Sequence, residues 1–552
     1  MKKSRVSASA VKSKPVSPKP NPRWGREEET EIFAKNVKLF RQGKISDDDF
    51  RRFRLQHGAY GSRLRMDYSM VRIADIGLVP AVKKSSSSPS SSAASSTSSS
   101  SSSTTTENGS ETIRGFKIYL GGGLGAASFI GHLLEDFTPE DRLLATCMAT
   151  IRLFDRHGNR ENMARNRMRY LVHEMGWERF QKMVLKERSI VEMTTSYATQ
   201  QLFDVKSHED TRTLPLPDAS SGTMTAAMAR TKTTTKLPML NGNITKDSPA
   251  FERWLHTNAV SQKHEGFVTV FITLGAGDIT ASQLRLLASA IRDYSAEGVA
   301  RNTPQQNFAL RYVRETDLAN LYEKLTSAGL ANPGALTIAS AVGCSGTTSC
   351  NLAITNSHRL AKEVQRKFLE LGLDIDDSLR DATIKISGCP NSCGQHEIAT
   401  IGFFGGATRM NNTMTPTYTM LFGGSAGETG ELGRAVMRVP AKRVIDTTLK
   451  IIELYKKERS AATTATSAIA GGDHEEGDKE QQQQHNHETL HQWIIRLVKG
   501  QGSGSIKNIE DMKAALAEVI QLPSSQQNPD AYRDYGSDTH FTAKTARGEC
   551  AA

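Results

Sequence analysis

Apolar residues recur along the chain in two rhythms, every second position over short runs and every third or fourth position over longer ones. Their order predicts a mixed fold. "FKIYLGGG" (116–123) reads as a strand running into a glycine turn, and "PEDRLLATCMATIRLFDRHG" (139–158) as an amphipathic helix. Further on, "FVTVFITLG" (267–275) is a strand and "TASQLRLLASAIRDY" (280–294) a helix capped by Thr280. "NFALRYV" (307–313) is the next strand, and "ETDLANLYEKLTSAG" (315–329) a helix ended by Gly329. That β-α-β-α order makes one ferredoxin-like half. "HRLAKEVQRKFLELG" (358–372) is a further helix, and "ATIKISG" (382–388) a strand that delivers Cys389 to its loop. The fold class is therefore α/β in the wide sense, α+β.

Polar tracts divide these patterns. Residues 84–110, "KSSSSPSSSAASSTSSSSSSTTTENGS", cannot bury enough apolar surface to offset chain entropy and are expected to be disordered. A Thr/Ser/Pro-rich linker is expected at 206–250 and a Gln/His-rich one at 459–488. They account for the low hydrophobic fraction, 38% over 552 residues, a length that calls for several domains. The first 23 residues form a basic, Ser/Pro-rich arm without the apolar region of a secretory signal. No run of about 18 apolar residues occurs, so no membrane span is expected.

Charge changes the picture more. The chain carries 70 Lys and Arg against 59 Asp and Glu, a formal charge of +11, which suits anionic cofactors, substrates or acidic partners. Basic and aromatic residues do not interleave as in a nucleic-acid module, so nucleic acid is not an expected partner. Four of the six cysteines fall in "GCSGTTSCNLAITNSHRLAKEVQRKFLELGLDIDDSLRDATIKISGCPNSCGQHE" (343–397), as C-x5-C and C-x3-C with 38 residues between. Cys147 and Cys550 stand alone, a usage that suits a reducing intracellular compartment such as cytoplasm or plastid. Zinc knuckles space their paired ligands roughly two to four residues apart, so C-x5-C is an awkward half-site. An iron–sulfur cluster wants thiolates converging from glycine-containing loops, which both motifs supply. A cluster is favoured on spacing, with structural zinc and redox thiols as alternatives.

C-x5-C followed by "GCPNSCG", the turn "GGGLG" (121–125), "GNRENMARNRMRYL" (158–171) and "RNTPQQN" (301–307) together resemble the sirohaem and [4Fe–4S] sulfite and nitrite reductases. The resemblance covers 111–205 and 251–455, more weakly 24–72 and the tail "DYGSDTHFTAKTARGEC". It implies six-electron reduction of sulfite to sulfide, or nitrite to ammonia, with electrons from an acidic donor such as ferredoxin, by a monomer. By the same resemblance Cys344, Cys350, Cys389 and Cys393 would ligate the cluster, and Cys393 would bridge to the sirohaem iron. Arg160, Arg167 and Arg169 would pair with the carboxylates of the macrocycle, and Gly121, Gly122 and Gly123 would let the backbone approach it. Arg301, Thr303, Gln306 and Asn307 match the run beside it. His358 and His396 are expected near the cluster without ligating it. The loop Cys344-Ser345-Gly346-Thr347-Thr348-Ser349-Cys350 lacks the proline and acidic residue usual in the family. The tail and "GECAA" end lean towards sulfite.

The resemblance also orders the chain. After the basic arm come a helical arm and remnant of a first ferredoxin-like half (24–83), the Ser-rich linker, and a first sirohaem-binding half (111–205). The second linker is followed by the ferredoxin-like half (251–335), the 4Fe–4S/sirohaem half (336–458), the third linker and a tail (489–552). The family has a pseudo-twofold repeat, and its first ferredoxin-like half is expected to be incomplete here, short by on the order of 150 residues. Lys83 and Lys84, in a disordered flank, would not replace the substrate-holding basic residues of that segment, so no catalytic residue is assigned. Weak cofactor binding and slow or no turnover are expected, and the alternative function is that of a non-catalytic or truncated cofactor-binding paralogue.

Overall fold

A computed structural model describes residues 70–84, 104–105, 111–194, 248–262, 264, 266–469, 488–502 and 504–542. The basic arm, the segment 24–69, most of each polar tract and Cys550 lie outside the described residues. Three sheets carry the described fold.

The first is built on β3 (Glu111–Leu120), flanked by β1 (Ile76–Lys84) and β2 (Thr104–Thr105), with β4 (His132–Leu133) and β5 (Thr138–Pro139) also paired to β3. Pairing of β1 with β3 is antiparallel and unbroken from Ile76↔Leu120 to Lys84↔Thr112. The expectation for Lys83 and Lys84 is thereby corrected: both end a strand of nine residues. Pro80 sits in its middle, opposite Phe116, and β1 has no second neighbour among the described residues, so no ladder donor is lost there. Against this sheet pack α1 (Leu143–His157), α2 (Met168–Met175) and α3 (Trp177–Thr194). Ile118, Leu120, Leu153, Val172, Phe180 and Val184 form their common core.

Next, α4 (Pro249–Asn258) leads into a second sheet ordered β6-β7-β9-β8, from β6 (Ala259–Ser261), β7 (Phe267–Ile272), β8 (Ala300–Asn302) and β9 (Phe308–Arg314). Helices α5 (Ala281–Tyr294) and α6 (Leu318–Ser327) follow β7 and β9. This is the ferredoxin-like half, with two short edge strands the sequence pattern does not announce. Thr280 caps α5 in a reciprocal capping box with Gln283, and Gly329 leaves α6 in the left-handed region (φ 66°).

In the third sheet, β10 (Val342–Gly343), β11 (Ile384–Ser387) and β12 (Ile401–Met410) run parallel, and β13 (Thr413–Phe422) and β14 (Arg434–Pro440) continue it antiparallel. Helix α7 (Ser357–Glu370) crosses from β10 to β11, and α8 (Val444–Ile469) follows β14. The tail expected from 489 onward instead contains α9 (Leu490–Val498) and α10 (Ile509–Leu516), whose Trp493, Ile494, Met512 and Leu516 enter the largest core beside Phe368, Ile386 and Phe403. Helix α8 likewise runs past the expected boundary at 458. Its Tyr455 donates to the Glu488 carbonyl at 2.6 Å, and Trp493 Nε1 donates to Glu458 at 3.0 Å.

Candidate functional site

The two cysteine loops are stitched to one another by backbone. β10 ends at Gly343, so Cys344 opens the first loop, and β11 ends at Ser387, so Cys389 and Cys393 lie on the second. The Gly388 carbonyl accepts from the N–H groups of Ile354 at 2.8 Å and Thr355 at 3.1 Å. Its own N–H donates to Cys344 Sγ at 3.2 Å, and Ser357 Oγ stands 3.1 Å from the same sulfur. A Cβ at Gly388 would come within 2.7 Å of the Thr355 carbonyl, so the close approach needs glycine. Losing the family's proline in the first loop leaves this stitching intact.

Cys389 is buried, Cys344 and Cys350 are half-buried, and Cys393 is exposed. Burial pushes the Cys389 thiol up, a hydrogen bond from the Asn391 backbone pulls it back, and Cys344, Cys393 and Cys350 add to the rise. Among the described residues no three His, Cys, Asp or Glu side chains close on the position of a single metal ion. Thiolates spread over two loops, with N–H and O–H donors aimed at sulfur, suit the corners of a cluster better than the tetrahedron of one zinc. Cys147 lies apart on α1.

Beneath the second loop, Ser387 Oγ accepts from the Gly394 N–H at 3.0 Å and meets His396 Nδ1 at 2.9 Å. Burial alone pulls the His396 imidazole down to about 3, which keeps it neutral. His358 instead reaches Asp278, at 3.1 Å. Three residues here escaped the sequence reading. Lys385 and Gln395 bond to each other at 2.7 Å, and Glu397 is a largely buried carboxyl pushed up by burial. The one signal for Lys385 was a charge among apolar neighbours in "TIKIS".

The arginine-rich segment divides. Arg160 folds back on Asp155, 3.0 Å away, and over the Phe154 ring. Arg167 pairs with Asp75 at 2.8 Å. Arg169 is only 7% exposed, and its Nε and Nη1 have no hydrogen-bond partner. Its guanidinium lies against the glycine turn, where a Cβ at Gly123 would stand 2.8 Å from Nη1. Gly121 enters that turn at φ 81°, and Gly121 and Gly122 donate to the Asp75 and Ala74 carbonyls. Buried, unpaired guanidinium donors over a bare backbone turn fit an anionic group laid against them.

Residues 301–307 do other work. Arg301 and Arg311 both grip Glu297, whose carboxyl burial would raise but whose two arginine partners hold at about 2. Thr303 closes a turn with Asn307. Gln306, at φ 61°, clamps both backbone groups of Gly343, donating to its carbonyl at 2.9 Å and accepting from its N–H at 3.3 Å. Asn307 accepts from the Leu274 N–H at 2.9 Å and donates to Ser340 at 3.2 Å. Gln306 therefore fastens the ferredoxin-like half to the strand that delivers Cys344, and Asn307 ties it to Ser340 just before that strand.

Known proteins resemble this chain in sequence. The family description "Nitrite and sulphite reductase 4Fe-4S domain" matches residues 64–192 and 335–466, and "Nitrite/Sulfite reductase ferredoxin-like half domain" matches 260–328. Together they cover more than half of the chain, which belongs to the nitrite and sulfite reductase family. It is similar to the assimilatory ferredoxin-dependent nitrite reductase of Haloferax mediterranei, 25% identical over 64% of this chain and 54% of that one. The sulfite reductase [ferredoxin] 1 of Mycolicibacterium paratuberculosis is 21% identical over 63% of this chain and 54% of its own. Among solved structures, Mycobacterium tuberculosis NirA matches 64% of this chain and 55% of its own, with 19% identity and a TM-score of 0.44. The chain spans about half the length of the curated relatives it matches. Among the described residues no helix is long and apolar enough to cross a membrane.

Proposed function

We propose that Cys344, Cys350, Cys389 and Cys393 hold a [4Fe–4S] cluster, that Cys393 shares its thiolate with a sirohaem, and that the pair serves reduction of nitrite or sulfite. The observation that carries this reading is the stitching of the two cysteine loops through Gly388, which joins the loop of Cys344 and Cys350 to that of Cys389 and Cys393. When bound, such a pair supplies an electron store in contact with the metal that takes the oxyanion. The chain's own part is to hold and orient. Cys393 is the exposed thiol and would present the outer corner of a cluster, while the buried Cys389 and the half-buried Cys344 and Cys350 would anchor it. Arg169 offers buried donors to an anionic edge of the macrocycle at the glycine turn, whereas Arg160 and Arg301 are engaged by carboxylates of their own. The positive charge of +11 favours an acidic, ferredoxin-type electron donor through steering.

The second reading, a cofactor-bearing paralogue with little turnover, is favoured by the engagement of Arg160 and Arg301 with carboxylates of the chain itself. Expression with sirohaem, iron and sulfide supplied, followed by visible spectroscopy and turnover with a reduced dye on each anion, tests both. Cofactor absorbance with turnover supports the reductase and ranks the two anions; absorbance without turnover supports the paralogue. A colourless chain contradicts both.

A further inference from the structure

Ile384 and Ile386 of β11 face the largest core, so Lys385 and Ser387 take the opposite face of the sheet. Lys385 is 7% exposed, and its Nζ donates to Gln395 Oε1. No carboxylate pairs with it among the described residues. An ammonium buried against a neutral amide is unfavourable unless negative charge lies near. Burial pulls it down to about 8, which leaves it mostly protonated at neutral pH. His396, neutral on the same loop, supplies no charge.

The placement of Lys385 is specific. Its bond to Gln395 and that of Gly394 N–H to Ser387 Oγ close the base of the loop that carries Cys389 and Cys393. Within the loop Ser392 and Gln395, both at φ 60°, turn the chain. Four thiolates on an iron–sulfur core make a net anion, and each added electron deepens it.

We propose that Lys385 is a positioning residue for the cluster: through Gln395 it fixes the loop of Cys389 and Cys393, and its buried positive charge favours the reduced cluster. The inference rests on the cluster reading of the four cysteines. It gives the strand beneath the ligands a part in setting the potential.

The test uses the full chain reconstituted with iron and sulfide, with iron and sulfide content and reductive titration as readouts. Lys385→Met is expected to keep its iron while the reduced-to-oxidised ratio at a fixed potential falls about tenfold, equivalent to about 59 mV for a one-electron couple. Lys385→Arg should stay within about threefold of the parent, since the charge is kept. Gln395→Glu, which neutralises the ammonium without removing it, should fall in the same direction and decides the matter if Lys385→Met does not fold. A parental potential in whichever charge-removing variant folds overturns the proposal. Absence of bound iron and sulfide in the parent overturns the cluster reading itself.

Discussion

Two polar runs, 158–171 and 301–307, were expected to do the same work, and the fold gives them different work. In 301–307 the polar side chains are spent on the protein: Glu297 takes Arg301, the Gly343 backbone takes Gln306, and Leu274 and Ser340 take Asn307. In 158–171 Arg160 and Arg167 find carboxylates, but Arg169 is buried with donors unmet beside a glycine turn. Residue types alone thus do not say which run has capacity left for a ligand; Arg169, buried with unmet donors, has it.

The sharpest break in that comparison comes from the proposed cluster ligands. Cys393→Ser should remove both cluster and sirohaem absorbance, since a hydroxyl is a poor ligand for soft iron–sulfur chemistry, and a parental visible spectrum would contradict the bridging role. Arg169→Met should fold and keep the cluster but weaken sirohaem retention about tenfold or more, the loss of a buried charge-assisted contact. Unchanged retention would make Arg169 a structural residue like Arg301. Gln306→Ala should do the reverse, costing about 2 kcal/mol of stability in denaturant titration with little change in the spectrum of the loaded protein, because both Gly343 backbone groups lose their partner.

Smaller effects sharpen the same contrast. The Glu297 carboxyl, held at about 2 in the fold against an ordinary 4.5, stays charged in the native state over that interval while the unfolded chain takes up a proton. Its contribution to stability is complete above pH 4.5 and is lost as pH falls towards 2. Glu297→Gln should cost about 1–2 kcal/mol at neutral pH, the two arginines being partly exposed, and should flatten that acid limb. An acid limb as steep as the parent's would assign it to other carboxylates. Smallest of all, Cys147→Ser should leave the spectrum intact, since Cys147 packs against the first core away from the cysteine loops.

How legible all this was in the sequence depends on range. The capping box of Thr280 and the stop at Gly329 are local, and the pattern showed Thr280 and Gly329 directly. The C-x5-C and C-x3-C spacing singled out the two loops after β10 and β11 for the same reason. β1 was missed because Pro80 and the adjoining serine tract argue against a strand, and only its pairing with β3 makes it one. The helix Leu490–Val498 was taken for tail although Thr489 and Gln492 spell a capping box, because its apolar face has meaning only against Tyr455 and the third sheet. The clamp of Gln306 on Gly343 and the burial of Lys385 join segments 37 and 10 residues apart in sequence, and no periodicity records such contacts.

The proposed site depends on four thiolates acting as one ligand set. The most direct measurement is iron and acid-labile sulfide per chain after anaerobic reconstitution, compared between the parent and a Cys344→Ser, Cys389→Ser double variant. About four of each per parent chain, and near none in the variant, is the predicted result. One zinc per parent chain, or iron and sulfide retained by the double variant, would contradict it.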